Sequence, residues 1–516
     1  MPRPRHAPPS AESAARPTRL LIVSGIALAV TALALLGGAF AAPTHGDAPV
    51  PTPPSGSPAA QAALDGFPAP EAGSAPILLR GGRLFDATDD RAEANPGVLV
   101  RGGRILAVGP ADVPDDARVI DLEDDHTILP GLVDLHAHYN MNLTGDGRVE
   151  ETEYNPLIYL ANGVTSTFTG GEYLPEIMAE ARRRIHAGER PGPRILQAGP
   201  YFGSSRPGWD HDISADSIRA EVDHWAARGV AGFKAKGAAP RHIEPLVDQA
   251  HRHGLTVTGH LESGRGNSTN SADAIPMGID RVEHILGGPV LDPEQAAYPV
   301  WNQVDTASAE FREVVDLFLD NQVHFSATIT APVYFTELKE GFDDWPDEAS
   351  FFTPHVQQLV AERGSRQRNE RMSELYWTMR ETTRAFYDAG GGDLIVLGTD
   401  NPSGGEFLPG FSAHRELHTM VLAGIPEASV LRIGTINGAR ALGMGDLLGT
   451  VETGKLADLF VVEGDPLEDI THTRNVELVL RNGELFQPDE LLERARGRIG
   501  PEGPEEHDGW WERWLQ

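Results

Sequence analysis

The 516-residue sequence contains no cysteine, which predicts a protein without disulfide bonds and without a lipidated cysteine anchor. Basic residues are also scarce: 43 lysines and arginines stand against 75 aspartates and glutamates, and the net charge is −32. Such a charge keeps a protein soluble and repels the phosphates of nucleic acid, so we exclude nucleic acid as a partner. The length suffices for more than one domain, and the 40% of hydrophobic residues suffice for a large core.

The first 42 residues predict export. Four arginines precede an apolar run that extends from Leu20 to about Ala42. The tripeptide Ala39-Phe40-Ala41 fits the small-x-small pattern at which signal peptidase cleaves. Because the run nearly reaches the ~20 residues that span a bilayer, a retained N-terminal membrane anchor is the alternative. In either case we expect an extracytoplasmic protein: periplasmic, secreted or membrane-tethered.

Composition divides the rest of the chain. Residues 43–75 are rich in proline, alanine, glycine and serine and predict a linker. Short strand patterns broken by glycine turns then fill residues 76–128, for example GVLVRGGRILAVG, and similar patterns return in residues 446–487, for example KLADLFVVEGD. Neither set is large enough to form a stable domain alone. We therefore expect the two sets to pair into one composite β-sandwich.

Strand and helix patterns alternate between residues 129 and 445, which predicts an α/β fold of the (β/α)8 TIM-barrel type. A Rossmann-like sheet is the competing fold, but no glycine-rich phosphate loop follows the first strand. Two segments, 286–322 and 331–375, exceed ordinary loop lengths and predict either lids or surface insertions. The eight strand candidates are 129–138, 164–170, 194–201, 230–236, 255–261, 281–285, 323–329 and 393–400.

Metal-ligating side chains recur where the predicted strands end. The first strand, LPGLVDLHAH, presents His136 and His138 on one face, because side chains two positions apart on a strand point the same way. A single strand-end histidine is more often an ordinary core residue than a ligand. Barrel enzymes, however, carry their chemistry at the carboxyl ends of the strands, where this chain collects several such groups. The others are Lys234 and Lys236 on strand four, His260 on strand five, His284 on strand six and Asp400 on strand eight.

These motifs resemble the metal-dependent amidohydrolase superfamily, in its imidazolonepropionase-like and prolidase-like branch. The resemblance extends from about residue 77 to 487 and rests on LPGLVDLHAH, the VTGH, VEH and GTD strand ends, and the closing pattern TINGARALG…GTVETGKLADLFVV. It implies two divalent metal ions, with zinc expected and manganese or iron as alternatives. It implies that one ion is held by His136, His138 and Asp400, and the other by His260 and His284.

The resemblance further implies a carbamylated lysine on strand four as the bridge between the ions. Lys234 and Lys236 are two positions apart and could both face the barrel interior. We prefer Lys234, because the family pattern has a glycine five residues before the lysine, and Gly229 fits. A desolvated lysine beside cations has a lowered pKa, which frees its amine to take up carbon dioxide. Without the modification, Lys234 would instead contact a substrate carboxylate.

The implied reaction is hydrolysis of a carbon–nitrogen bond in an amide, a cyclic amide or a dipeptide. Two ions roughly 3.5–4 Å apart share a water whose pKa falls to about 7, and the resulting hydroxide attacks a polarised carbonyl. Asp400 is expected to act as general acid and base. The alternatives are a lactonase or esterase that uses the same site, or a non-catalytic exported binding protein with a degenerate barrel.

The sequence predicts the substrate-binding residues and the partners less specifically. An ordinary packing or surface role is equally compatible with each candidate substrate-binding residue. We expect a small-molecule or short-peptide substrate, and a homo-oligomer is possible. A tail with three tryptophans, residues 488–516, is expected to dock on its own domain. The candidate substrate-binding residues are Tyr139, Asn140, Tyr201, His211 and Arg265, and weaker candidates are His324, Asn401, Ser403 and His414.

Overall fold

The computed structural model of the protein describes residues 64–65, 75–336, 338, 348–363, 369–402 and 407–515. The predicted export segment, nearly all of the predicted linker and Ser403 lie outside these residues. Within the described part of the chain, no helix has both the length and the apolar character needed to cross a membrane.

Twenty-one short strands are spread along the described residues. In chain order they are β1 (Ile77–Arg80), β2 (Arg83–Leu84), β3 (Glu93–Ala94), β4 (Val98–Arg101), β5 (Arg104–Val108), β6 (Arg118–Asp121), β7 (His126–Pro130), β8 (Leu132–Ala137), β9 (Asn140–Met141), β10 (Val149–Glu150), β11 (Val164–Thr169), β12 (Arg194–Leu196), β13 (Tyr201–Phe202), β14 (Gly232–Lys236), β15 (Thr256–His260), β16 (Arg281–Glu283), β17 (His324–Ser326), β18 (Ile395–Val396), β19 (Leu459–Glu463), β20 (Val476–Arg481) and β21 (Glu484–Phe486).

Most of the α-helices lie between the strands from β8 onward, so the described structure has the mixed α/β content that the sequence predicts. In chain order they are α1 (Asn155–Ala161), α2 (Pro175–His186), α3 (Ala215–Ala226), α4 (Pro240–Arg252), α5 (Ser271–Ala274), α6 (Ala297–Trp301), α7 (Ala309–Asn321), α8 (Pro354–Arg363), α9 (Glu370–Phe386), α10 (Phe411–Leu422), α11 (Glu427–Arg432), α12 (Gly438–Ala441) and α13 (Pro488–Ala495).

Two parallel sheets position the residues predicted to carry the chemistry. One has the order β12-β11-β8, and the other runs in sequence from β13 to β18. Backbone hydrogen bonds connect their edges: the Ala231 N–H donates to the Gln197 carbonyl at 2.8 Å, and the Leu135 N–H donates to the Leu397 carbonyl at 2.9 Å. The carboxyl ends of all these strands therefore meet at one end of the structure.

Two further sheets combine strands from both ends of the described chain. One has the order β5-β4-β1-β6, and the other has the order β21-β20-β19-β7-β2-β3. In the second, the C-terminal strand β19 pairs antiparallel with β7, so that Phe460 lies opposite Leu129. A buried apolar cluster draws on both sheets, with Leu79 and Val98 from one and Ile128, Val461 and Leu480 from the other.

The single strand predicted over 129–138 is in fact two strands in different sheets. Residues up to Pro130 belong to β7 in the antiparallel sheet, and β8 in the parallel sheet begins at Leu132. Gly131 lies between them, where an added Cβ would be 2.0 Å from Thr165 Oγ1. Only glycine fits so close to the Thr165 side chain, and the chain changes sheets there.

The segment 286–322, predicted as a long loop, contains the 13-residue helix α7. Its cap was readable in the sequence, because the Ser308 hydroxyl accepts a hydrogen bond from the Phe311 N–H. Phe311, Val314, Val315 and Phe318 follow at helical spacing and are buried. The segment 331–375 also contains helix α8, so both segments have secondary structure of their own, and their role as lids or surface insertions stays a prediction.

The C-terminal tail packs on the body of the protein. The Thr353 N–H donates to the Ile499 carbonyl at 3.0 Å, and the Thr353 hydroxyl donates to the Pro501 carbonyl at 2.6 Å. Trp510 is buried. The tail therefore holds the start of helix α8, which belongs to the insertion before β18.

Candidate active site

His136, His138 and Asp400 meet where β8 and the segment after β18 run side by side. The Asp400 N–H donates to the His136 carbonyl at 2.9 Å, which fixes the two segments at this point. The carboxylate oxygen Oδ1 of Asp400 lies 2.9 Å from His138 Nε2 and 3.3 Å from His136 Nε2. Both imidazoles are buried, whereas the Asp400 side chain is 22% exposed. One carboxylate oxygen thus faces two imidazole nitrogens, as in a shared metal site.

His260 and His284 extend this cluster. The His260 and His284 rings are 4.4 Å apart between centroids, and His284 lies 5.0 Å from His136. His284 directly follows β16 with a left-handed φ of 68°, and its Nδ1 lies 2.6 Å from the Thr328 hydroxyl. That contact fixes the ring and leaves Nε2 available to the cluster.

The two candidate lysines have different surroundings. Lys234 is buried, and its Nζ contacts Glu283 Oε2 and lies 3.3 Å from His136 Nε2. Lys236 is half-buried, with its Nζ 5.8 Å from the centre of the Tyr201 ring. Of the two, Lys234 is the lysine that contacts a predicted ligand. Burial, and to a lesser extent the charge of Lys236, lower the pKa of Lys234 well below its usual range.

Glu283 belongs to this cluster, and the sequence interpretation missed it. Its Oε2 lies 3.5 Å from His136 Nε2, and its Oε1 accepts a hydrogen bond from the Thr258 hydroxyl at 2.8 Å. Neighbouring residues on a strand normally face opposite sides, so Glu283 and His284 should have pointed apart. The positive φ of His284 breaks that alternation and turns both side chains inward. The VEH motif gave the only sequence signal, a carboxylate next to a candidate ligand.

Asp134 is a second buried carboxyl group that was not predicted. It accepts hydrogen bonds from the His136 N–H at 3.0 Å and from the Thr399 hydroxyl at 2.8 Å. It therefore connects the first and last strands of the parallel region immediately behind the histidines. Burial raises the pKa of Asp134 to about 6.

Burial also sets the charge of the imidazoles. It lowers the pKa of His138 to about 4 and that of His284 to about 3, so both rings are neutral at pH 7. Burial alone would raise the pKa of Asp400, but the neighbouring imidazoles of His136 and His138 outweigh it and hold that pKa well below its usual range. Neutral imidazoles and an ionised carboxylate are the forms in which these groups bind metals.

The donor atoms fit divalent metal ions. His136, His138 and Asp400 form one group whose ligand atoms lie within 4.8 Å of one another, and His136, Glu283 and His284 form another. Among the described residues, the buried atoms His260 Nδ1 and His284 Nε2 have no hydrogen-bond partner. Buried polar atoms are normally paired, so these lone pairs are well suited to coordinate a cation.

The structure brings two of the five predicted substrate contacts close to this cluster. The Asn140 Nδ2 lies 3.2 Å from His138 Nδ1, so the Asn140 side chain contacts a ring of the cluster rather than facing solvent. Tyr201 is buried under Lys236, and its hydroxyl has no hydrogen-bond partner among the described residues. Tyr139 instead lies in the core, where its hydroxyl is 2.9 Å from that of Thr167 and its ring packs on Tyr159.

The remaining candidates are not brought to the cluster. His211 and Arg265 are exposed, and the His211 carbonyl accepts a hydrogen bond from Arg241 in helix α4. His324 begins β17, at the strand end opposite the ligands. His414 is buried in helix α10, with Nδ1 3.1 Å from the Thr473 hydroxyl. The Asn401 side-chain amide donates a hydrogen bond to the Thr399 carbonyl and stabilises the turn that carries Asp400.

Arg148, Tyr173 and Tyr298 lie near the site and were not predicted. Arg148 Nη1 donates to the Tyr173 hydroxyl at 3.1 Å, and the Tyr173 ring lies 5.2 Å from that of Tyr201. The Tyr298 hydroxyl lies 3.2 Å from His260 Nε2. All three residues come from loops or short helices beyond the strands, where no pattern in the sequence indicates proximity to the ligands.

Parallel strands that end in a cluster of imidazoles and carboxylates are typical of TIM-barrel hydrolases with a metal site. Comparison with known proteins identifies the family, because residues 127–486 match the Amidohydrolase family. The chain belongs to this family of hydrolases acting on carbon–nitrogen bonds, and to its imidazolonepropionase-like and prolidase-like branch. The expected resemblance is thereby confirmed.

Individual relatives agree with this assignment. The chain is 26% identical over 402 residues to an imidazolonepropionase of Sphingopyxis alaskensis, which covers 74% of this chain and 90% of the relative. A solved Xaa-Pro dipeptidase with bound methionine matches with a TM-score of 0.60 at 22% identity, over 80% of this chain and all of that one. Phenylurea hydrolase B matches with a TM-score of 0.61 at 20% identity, over 83% of this chain and all of that one. These two structures establish the TIM-barrel-type α/β fold.

Proposed function

We propose that the protein is an exported, metal-dependent hydrolase that cleaves the C–N bond of an amide, a cyclic amide or a dipeptide-like substrate. The observation that carries the proposal is the convergence of four imidazoles, Lys234 and Asp400 from five strand ends. The contacts of 2.9–3.3 Å within this group support a site built for cations rather than a set of packed core histidines.

Two divalent ions would be held here, one by His136, His138 and Asp400 and the other by His260 and His284, with zinc expected and manganese or iron as alternatives. When bound, such ions polarise a carbonyl group and lower the pKa of a water to about 7. Lys234 would bridge them as a carbamate, formed when its amine attacks the carbon of carbon dioxide and releases a proton. The burial of Lys234 and its 3.3 Å contact with His136 support this role.

Asp400 would move the proton during the reaction. As the water oxygen bonds to the carbonyl carbon, the Asp400 carboxylate accepts its proton, and it then donates that proton to the nitrogen as the C–N bond breaks. Its partial exposure, compared with the buried histidines, supports access to substrate. The 3.2 Å contact between the Asn140 side-chain amide and His138 Nδ1 supports a fixed ring next to this carboxylate.

The substrate would carry a carboxylate. Two cationic side chains, Arg148 and Lys236, converge on the edge-to-face rings of Tyr173 and Tyr201 next to the proposed ligands. The buried Tyr201 hydroxyl has no partner among the described residues and offers a hydrogen-bond donor there. Two cations and a hydroxyl are the groups that recognise a carboxylate, as found at the end of a dipeptide or an N-acyl amino acid.

We also infer that the architecture is a closed (β/α)8 barrel with a composite β-sandwich. The hydrogen bond from the Leu135 N–H to the Leu397 carbonyl supports closure between the first and last strands. The pairing of β19 with β7 supports a sandwich assembled from segments before and after the barrel. The N-terminal arginines and apolar run support export or tethering outside the cytoplasm, and a homo-oligomer remains a prediction.

An activity screen of the metal-loaded protein tests the proposal. The panel should contain Xaa-Pro dipeptides, N-acyl dipeptides, imidazolone-like rings and lactones, with each substrate also supplied to the Asp400→Asn variant. We expect hydrolysis of a carboxylate-bearing amide that disappears in the variant and on chelation. Turnover of lactones alone would favour the esterase alternative. Absence of bound metal after purification with zinc or manganese supplied would contradict the proposal.

A further inference from the structure

Tyr298 contacts His260, one of the proposed metal ligands. Its hydroxyl lies 3.2 Å from Nε2 of His260, and the two rings are tilted by 59° with centroids 5.9 Å apart. The opposite ring nitrogen, His260 Nδ1, is buried and has no hydrogen-bond partner among the described residues. The His260 ring therefore contacts two partners: the His284 ring, edge-to-face with centroids 4.4 Å apart, and the Tyr298 hydroxyl.

Several contacts hold Tyr298 in this position. The Glu262 carboxylate accepts a hydrogen bond from the Ala297 N–H, next to Tyr298 in helix α6. The Ser263 hydroxyl donates to the Gln295 carbonyl at 2.5 Å. Trp301, at the other end of α6, is fully buried and anchors the helix in the core. The loop after β15, which carries His260, is thus tied to the helix that carries Tyr298.

The hydrogen bond selects the tautomer of His260. A neutral imidazole has one N–H and one lone pair, and only the nitrogen with the lone pair can bind a metal. If Nδ1 carried the proton, a buried N–H would lack a partner, which costs roughly 1–3 kcal/mol. With the proton on Nε2 it is donated to the Tyr298 oxygen, and Nδ1 keeps a free lone pair. Partners of this kind fix the orientation of metal-bound histidines.

We propose that Tyr298 is a positioning residue that holds His260 in the tautomer needed to bind the second metal ion. The inference rests on the proposed two-metal function and adds a residue to it that lies outside the strands. Removing the hydroxyl without changing the ring, as in Tyr298→Phe, should lower the affinity for one ion by about 10–100-fold. The ion held by His136, His138 and Asp400 should bind as before.

The experiment measures metal binding rather than turnover. Full-length protein is stripped of metal and titrated with Co²⁺, with the bound equivalents and the absorption spectrum recorded. Tyr387→Phe is the matched control, because its hydroxyl lies 2.9 Å from Ser429 Oγ and makes no contact with a ligand histidine. We expect two tight equivalents in the wild type and the control, and one tight and one weakened equivalent in Tyr298→Phe. Adding Tyr298→Phe to His260→Ala should cause no further loss.

Equal affinity for both ions in Tyr298→Phe and wild type would overturn the inference while leaving the proposed function intact. So would a loss that adds fully to that of His260→Ala, since independent effects would show that Tyr298 does not act through the histidine. A wild type that binds no Co²⁺ would instead contradict the metal site itself. Thermal melting of the metal-free variants distinguishes a folding defect, which would lower the melting temperature before any metal is added.

Discussion

Replacement of Lys234 by methionine should destabilise the metal-free protein by about 1–3 kcal/mol, the usual cost of leaving a buried hydrogen-bonding group without its partner. The magnitude follows from the burial of the pair: the Lys234 side chain is 1% exposed, and that of its partner Glu283 is 0% exposed. Once the amine is gone, Glu283 keeps the hydrogen bond from the Thr258 hydroxyl at 2.8 Å, while its other carboxylate oxygen loses its closest partner among the described residues. Lys236→Met is the matched control, and because Lys236 is half-buried over Tyr201, it should cost only about 0.5–1 kcal/mol.

Urea unfolding, followed by circular dichroism, measures the free energy of unfolding of both variants without any substrate. The double variant Lys234→Met/Glu283→Gln also replaces the buried carboxylate and keeps an acceptor for Thr258, so it should recover most of the loss. Equal, small effects of Lys234→Met and Lys236→Met would refute the reasoning. A double variant that is less stable than Lys234→Met would refute it too, because the unpaired Glu283 could not then be the source of the cost.

Three further outcomes are expected. Asp400→Asn should retain bound metal, as measured by elemental analysis. It should lose about 10²–10⁴-fold in kcat, because an amide cannot accept and donate the proton. The control His211→Ala should change neither the bound metal nor kcat. Arg148→Met should raise KM for carboxylate-bearing substrates by about 10–100-fold and leave KM for their uncharged amide analogues unchanged. Equal effects on both kinds of substrate would contradict a carboxylate pocket. Chelation should lower the melting temperature, and zinc at a hundred times its dissociation constant should restore about 2.7 kcal/mol of stability in calorimetry; identical melting curves would count against a folded-state metal site.

The strand-end histidines could be predicted because they depend on a rule of topology. Parallel strands bring their carboxyl ends together, so His136, His260, His284 and Asp400 could be grouped before their distances were known. Glu283 could not, because its inward orientation depends on the backbone of the next residue rather than on strand alternation.

Other differences have equally local causes. The end of β7 at Pro130 depends on the close approach of Gly131 to Thr165, a tertiary contact that no sequence pattern records. Tyr298 and Arg148 reach the site from loops, whose paths are set by anchors such as Trp301 rather than by periodicity. Helix α7, by contrast, was predictable from the Ser308 cap and the apolar spacing that follows it.

The position of β7 between β19 and β2 has a consequence for biosynthesis. Strand β7 is translated before the entire parallel region, and its antiparallel partner β19 only afterwards. At translation rates of ~5–20 residues per second, one edge of β7 remains unpaired for on the order of tens of seconds until β19 has been synthesised. An exposed strand edge is a template for intermolecular pairing. The nascent chain should therefore depend on chaperones during this interval, whereas the finished protein has paired that edge.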